Sequence, residues 1–277
     1  MSKVIAVTGA TGSQGGGVVN VMKKTPGWKV RAITRNVDSD SARKLAADGV
    51  EVVAASFDDE DSLLKAFEGV YAVFAVTNWW EHLFSGKSQD EAGVLEEEQG
   101  MKIARAAART TTLEHYIWST CPSAKKILKG DNVAPHMDYK ANVDDRIKSE
   151  LPELAKKTTY LMFGYYPQNL AFFPLLKPIA YESGYANVAL EKWTFQEMAD
   201  VWSQVTGKKC SFVQCSPEDW TALWGPAGHE LGLQFKFGEL CDPWQETDEH
   251  ISAEELGIDV NEVVGFKGTI EGLKHLF

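Results

Sequence analysis

Within the first fifteen residues, Thr8-Gly9-Ala10-Thr11-Gly12-Ser13-Gln14-Gly15 sets three glycines at even spacing, directly after the apolar run Lys3-Val4-Ile5-Ala6-Val7. Glycine in such a turn takes backbone angles that a Cβ opposes, and it lets the chain approach an anion closely. The amides of a following helix then face that anion, so a strand, this turn and a helix over residues 16–24 make a cradle for a pyrophosphate. The next apolar run, residues 29–35, ends roughly 20 residues beyond the last glycine, where the adenosine ribose of a dinucleotide is contacted. An Asp or Glu there accepts from a 2′-hydroxyl. This chain has Arg35, followed by Asn36 and, further on, Arg43 and Lys44. A guanidinium matches a 2′-phosphate in charge and fork geometry, which predicts NADP(H) rather than NAD(H).

The elements that must position these residues follow from periodicity. Helices over 39–48, 61–67, 92–109 and 138–149 alternate with strands over 50–55, 70–76, 115–119 and 159–163. Such alternation gives an α/β fold, a Rossmann-type doubly wound parallel sheet whose ligands sit at the carboxyl ends of the strands. Residues 1–163 are expected to form the NADP(H)-binding domain, and 164–277 a smaller substrate-binding lobe interleaved with it. The strand ends carry Asp58, Thr77-Asn78-Trp79-Trp80, Ser119-Thr120 and Gly164-Tyr165-Tyr166. Asp58 could reach the adenine amino group or cap the helix at Asp61. Thr77 and Asn78 fall where the nicotinamide ribose should lie. Beyond Trp193 the pattern predicts a helix from Thr194 to Thr206 stopped by Gly207, a strand over 209–215, a helix start at Pro217, and short helices over 253–256 and 269–275.

Composition sets limits. The chain has 277 residues, a net charge of −11 and a sequence pI near 5.1. That charge and the lack of a basic stripe argue against direct nucleic-acid binding. No run is apolar enough to cross a bilayer and the chain begins on a strand, so it reads as soluble and cytoplasmic. Cys121, Cys210, Cys215 and Cys241 show neither disulfide-framework nor zinc spacing; they read as buried thiols, with no metal site. Glu96-Glu97-Glu98 reads as a solvated helix face and residues 82–88 as a loop tip. Of nine tryptophans, Trp193, Trp202, Trp220, Trp224 and Trp244 fall in the last third, mostly as core, with some free to line a site for a flat ligand.

The glycine turn and Arg35, together with Val76-Thr77-Asn78-Trp79-Trp80-Glu81, His136-Met137-Asp138-Tyr139-Lys140 and Gly164-Tyr165-Tyr166-Pro167-Gln168-Asn169, resemble the NmrA-like family, an atypical branch of the short-chain dehydrogenase/reductase superfamily. The similarity runs from Lys3 to about Asn169 and resumes from Trp193 to Cys215. It implies NADP(H) binding, with phosphate contacts at Gly9, Thr11, Gly12, Ser13, Gln14 and Gly15, the 2′-phosphate at Arg35, and Lys140 near the nicotinamide ribose. Short-chain dehydrogenases usually carry Tyr-x-x-x-Lys, and no tyrosine here has a lysine four residues later. Tyr139 and Lys140, adjacent on a helix, point about 100° apart. Lys140 must therefore act alone, by orienting the ribose, by its charge or by donating a proton. His136 reads as structural.

Residues 179–193 lack a strand and helix that family members usually carry, so the substrate lobe should be smaller or completed by another subunit, as in a homodimer. An open aromatic cleft around Trp79, Trp80, Tyr165, Tyr166 and Phe172 follows. The resemblance implies two outcomes. One is an NADPH-dependent reductase acting on a C=O or C=N bond of a bulky aromatic or heterocyclic metabolite, with a cyclisation of the product in the same pocket as a variant. The other is a non-catalytic NADP(H) sensor that binds a protein partner.

Overall fold

The structure, a computed structural model, describes residues 2–130, 133–163, 166, 169, 193–212, 214–241, 259 and 263–277. The chain divides into two compact units, Met1–Met162 and Phe163–Phe277.

The first unit alternates strand and helix: β1 (Lys3–Val7), α1 (Ser13–Met22), β2 (Trp28–Thr34), α2 (Asp40–Ala47), β3 (Glu51–Ala54), α3 (Glu60–Ala66), β4 (Ala72–Ala75), α4 (Trp79–Phe84), α5 (Gln89–Ala108), β5 (His115–Thr120), α6 (Ala124–Ile127), α7 (Pro135–Glu150), α8 (Pro152–Ala155) and β6 (Thr158–Met162). All strand pairs are parallel, in the order β3-β2-β1-β4-β5-β6. This is the Rossmann-type sheet expected from the alternation. Ile5, Ala6 and Val7 of β1 are buried, as strands covered on both faces must be. Val7 lies opposite Ala32 of β2 on one side and Phe74 of β4 on the other. The order reverses between β1 and β4, so the crest of β1 is the switch point at which such sheets bind ligands.

Helix α5 begins at a capping box in which Ser88 and Glu91 satisfy each other's backbone amides, three residues before the expected start. Helix α7 begins at Pro135, also three residues early, because proline is suited to a first helical position. Residues 82–88 are not all a loop tip: His82–Phe84 complete α4, and His82 Nε2 pairs with Gln99 Oε1 at 3.1 Å. Two glycines let α7 close on α5. A Cβ at Gly93 would lie 2.0 Å from the Tyr139 ring, and one at Gly100 would lie 3.0 Å from a Val143 methyl and 3.1 Å from Trp118.

The second unit contains α9 (Phe195–Thr206), α10 (Pro217–Leu240) and α11 (Phe266–Leu273). Helix α9 opens on a Thr194/Glu197 capping box and ends at Gly207, whose φ of 73° is the left-handed closure that glycine favours. Met198, Trp202 and Val205 pack against Phe266 and Ile270. The expected strand over 209–215 is absent among the described residues. The Cys210 amide instead donates to Ser203 Oγ at 2.8 Å, which ties the segment to α9. Helix α10 is interrupted at Gly225 (φ 62°), followed by Pro226, and Trp220 packs against Trp224 and Phe235. The expected helix over 269–275 begins earlier, at Phe266; Trp244 and residues 253–256 lie outside the described residues. Cys215 is exposed, which corrects the expectation of a buried thiol there; Cys121, Cys210 and Cys241 are half-buried as residues, with the Cys121 thiol itself shielded from solvent and Cys210 packed against the cluster formed by α9 and α11. Among the described residues no helix is long and apolar enough to cross a membrane.

Substituting Gly93→Ala should lower stability by about 1–3 kcal/mol, because the methyl forces Tyr139 and α7 outward. Gly17→Ala, whose Cβ meets nothing within 4 Å, should not destabilise. Urea unfolding of the two variants checks both.

Candidate active site

At the crest of β1 the glycines are a steric requirement. Gly9 has φ +58°, and a Cβ there would lie 2.7 Å from Val76 Cγ1. A Cβ on Gly15 would lie 2.3 Å from the Gly9 carbonyl oxygen and 2.7 Å from that of Thr8, so the first turn of α1 rests directly on the backbone of the turn. Gly12 is the N-cap and brings no side chain to the first-turn amides, which every helix leaves without an internal acceptor. Thr11, Gly12 and Ser13 are exposed. Amides and helix dipole together suit a pyrophosphate, and the residues present fit one. Thr8 opens the glycine motif, but the sequence gives its side chain no role: its buried Oγ1 donates to the Val76 carbonyl at 3.0 Å and accepts from the Val76 amide at 2.7 Å, locking the crests of β1 and β4.

Arg35 follows β2 and engages Glu81 of α4 through its two terminal guanidinium nitrogens, Nη1 on Oε1 and Nη2 on Oε2 at 3.0 Å. The hydrogen bond to Glu81 raises the Arg35 pKa, and the charges of Glu81 and Asp58 add to it. Asp58 is not the cap of α3. Asp59 accepts from the Asp61 and Ser62 amides, because it is the residue in the N-cap position, while Asp58 accepts from Gln99 Nε2 at 3.0 Å.

The structure joins Thr77 to Lys140 through a residue misjudged in the sequence. Lys140 Nζ lies 2.8 Å from Thr77 Oγ1 and 2.7 Å from Glu96 Oε1, and Thr77 Oγ1 donates to the same Glu96 oxygen at 2.7 Å. Glu96 is fully buried and the Lys140 side chain 12% exposed. Glu96 Oε2 has no hydrogen-bond partner among the described residues. The expectation of a solvated Glu96-Glu97-Glu98 face fails at Glu96, which shares the side of α5 that Gly93 and Gly100 press against α7. Only Glu97 and Glu98 face outward enough to hold Arg146, which keeps the Glu98 carboxyl below the usual range. Lys140 Nζ also stands 5.6 Å from the centre of the Trp118 ring. Desolvation pushes the nearby Cys121 thiol up to about 12, against the opposing charge of Lys140. Tyr139 points elsewhere, its hydroxyl 3.1 Å from Asp90 Oδ1.

Beside this centre, Trp79 is buried and donates Nε1 to the Gln89 carbonyl, while the half-buried Trp80 stands edge-on to it at 5.1 Å. Trp80 also lies 5.5 Å from His136, which sits in the first turn of α7. Asn78 is exposed at the N-cap of α4. Asp138 accepts from Ser123 Oγ and the Lys125 and Ala134 amides, pinning the chain between β5 and α7. Tyr166 belongs to the second unit, with its ring 6.4 Å from Phe163. Tyr165 and Phe172 lie outside the described residues.

Breaking the buried pair from one side should be costly. Glu96→Ala should destabilise by about 3–5 kcal/mol, whereas Glu96→Leu combined with Lys140→Met should lose clearly less, as measured by urea unfolding. Asp144, beneath β5, offers a pH test. Burial pushes its carboxyl up to about 7, against hydrogen bonds from Thr120 Oγ1 and Trp118 Nε1 to Oδ1. Ionising it disfavours the folded state; this penalty is absent below the ordinary 3.8 and complete above about 7. Asp144→Asn keeps the acceptor, so its stability relative to the parent should rise between about pH 4 and 7, by up to about 4 kcal/mol. A pH-independent difference would contradict this.

Comparison with known proteins comes to the same fold. The NmrA-like family model matches residues 1–184. The NmrA-like family domain-containing oxidoreductase hkm9 of Aspergillus hancockii is 36% identical over 143 residues, 52% of this chain and 41% of that protein, so the match spans less than half of that relative. The Citrobacter sp. triphenylmethane reductase complexed with NADP(H) superposes with a TM-score of 0.68 at 23% identity, covering 97% of this chain and 99% of that one. NmrA, a negative transcriptional regulator, in complex with NAD, superposes with a TM-score of 0.70 at 17% identity, covering 99% and 96%. With the family model matching well over half its length, the chain belongs to the NmrA-like family.

Proposed function

We propose that the chain is an NADP(H)-dependent oxidoreductase that reduces a polarised C=O or C=N bond of a bulky aromatic or heterocyclic substrate. The observation that carries this reading is the fixed ammonium of Lys140 at the crest of β4. An ammonium has three N–H donors. Those of Lys140 include one to Thr77 and one to Glu96, leaving one to turn toward a ribose hydroxyl or a substrate oxygen or nitrogen. Relatives named as oxidoreductases, and a neighbour named as a reductase with NADP(H), support it.

In this reading the first-turn amides of α1, with Gly9, Thr11, Gly12, Ser13, Gln14 and Gly15, hold the pyrophosphate; Arg35 takes the 2′-phosphate and Asp58 lies on the adenosine side. Thr77, Asn78 and Lys140 orient the nicotinamide ribose. The bound nicotinamide supplies the hydride. Lys140 stabilises negative charge on the reacting oxygen or nitrogen and supplies the proton, while Glu96 and Thr77 hold its Nζ in place. Trp80, backed by the buried Trp79, offers an aromatic face to the substrate. A second reading, an NADP(H) sensor that binds a protein, is favoured by the missing Tyr-x-x-x-Lys and by the likeness to NmrA.

NADPH consumption with a panel of aromatic aldehydes, enones and cyclic imines separates the two readings. Turnover with at least one is expected; tight NADPH binding without turnover would favour the sensor. Lys140→Gln, which can still donate to Glu96, should cut turnover about 100-fold or more while weakening NADPH binding by clearly less, about tenfold at most, for the lost ribose contact. Arg35→Ala should weaken NADPH about tenfold or more and leave NADH unchanged.

A further inference from the structure

The Arg35–Glu81 contact lies where a nucleotide would have to meet it. Arg35 follows β2, Glu81 lies on α4 after β4, and β1 runs between those two strands. The pair therefore reaches from one side of the β1 crest to the other, across the switch point and beside the glycine turn. The two terminal guanidinium nitrogens meet one carboxylate oxygen each, the paired geometry that a phosphate would otherwise take. The two side chains are 66% and 44% exposed, so the contact can open to a competitor. The Glu81 carboxylate has no other hydrogen-bond partner among the described residues. It caps no helix and fills no core position. With the charge of Asp58 also acting on it, the guanidinium that would read a 2′-phosphate is already compensated by negative charge.

We propose that Glu81 is a specificity-determining residue: an exchangeable counter-ion of Arg35 that a 2′-phosphate must displace, and that instead accepts a hydrogen bond from the 2′-hydroxyl of an unphosphorylated dinucleotide. Glu81 thereby narrows the preference for NADPH over NADH that Arg35 alone would set. The proposal rests on the reading of Arg35 as the 2′-phosphate contact. A carboxylate helps a hydroxyl and opposes a phosphate, so its removal shifts the two cofactors differently.

The test is a fluorescence titration of the full chain and its Glu81→Gln and Arg35→Ala variants with NADPH and NADH. Glutamine keeps the size of the side chain and its fit to a helix, and an unchanged thermal midpoint confirms that the fold is intact. Glu81→Gln should tighten NADPH by up to about fivefold, the upper end of the range for releasing an exposed ion pair, and leave NADH unchanged or weaker. An unchanged NADPH-to-NADH ratio, or weaker NADPH binding, overturns the role of Glu81. If Arg35→Ala leaves the ratio unchanged, or the parent protein binds neither dinucleotide, the reading of Arg35 falls and takes the proposal with it. Loss of NADPH preference in Arg35→Ala with no effect of Glu81→Gln defeats the counter-ion alone.

Discussion

A fully buried carboxylate cannot stand alone, and the arrangement around Glu96 follows from that constraint. Desolvating a charge costs more than most single contacts return, so Glu96 requires a cation and further donors at hydrogen-bonding distance. Lys140 and Thr77 supply them, and these three residues come from α5, α7 and the end of β4. Pairing one oxygen of this carboxylate therefore fixes two helices against the sheet and sets an ammonium at its crest. The close approach is possible because Gly93 and Gly100 offer no side chain where Tyr139, Val143 and Trp118 press in.

A second close approach does the corresponding work at β1. The carbonyls of Thr8 and Gly9 occupy the space that a Cβ of Gly15 would need, which seats the first turn of α1 on the turn before it. Thr8 then bonds both backbone groups of Val76, so the glycine turn and the segment leading to Thr77 are held in one register. The anion cradle and the ammonium are parts of one rigid crest formed by β1 and β4. This rigidity is what orientation of a bound ligand requires.

The sheet was legible because parallel strands buried on both faces read as continuous apolar runs, and the glycine turn because its spacing carries a steric reason. Arg35 was legible by its distance from that turn; its partner Glu81 was not, because the two meet across β1 and are far apart in the chain. Glu96 was misjudged for a related reason. In Glu96-Glu97-Glu98 the charges look alike, and only the helical phase relative to Gly93 and Gly100 distinguishes the inward residue from its neighbours. The early starts of α5 and α7 were hidden in capping chemistry at Ser88 and Pro135 rather than in apolar periodicity. The segment over 209–215 looked like a strand by composition, but a hydrogen bond to Ser203 claims its backbone.

The proposed reaction requires the crest of β1 and β4 to hold one dinucleotide along its whole length. A crystal structure of the chain grown with NADPH tests this most directly. The pyrophosphate is expected on the first-turn amides of α1, the 2′-phosphate against Arg35, and the nicotinamide ribose within hydrogen-bonding distance of Lys140 Nζ. A dinucleotide bound with its nicotinamide end away from Lys140, or bound elsewhere on the chain, would contradict it.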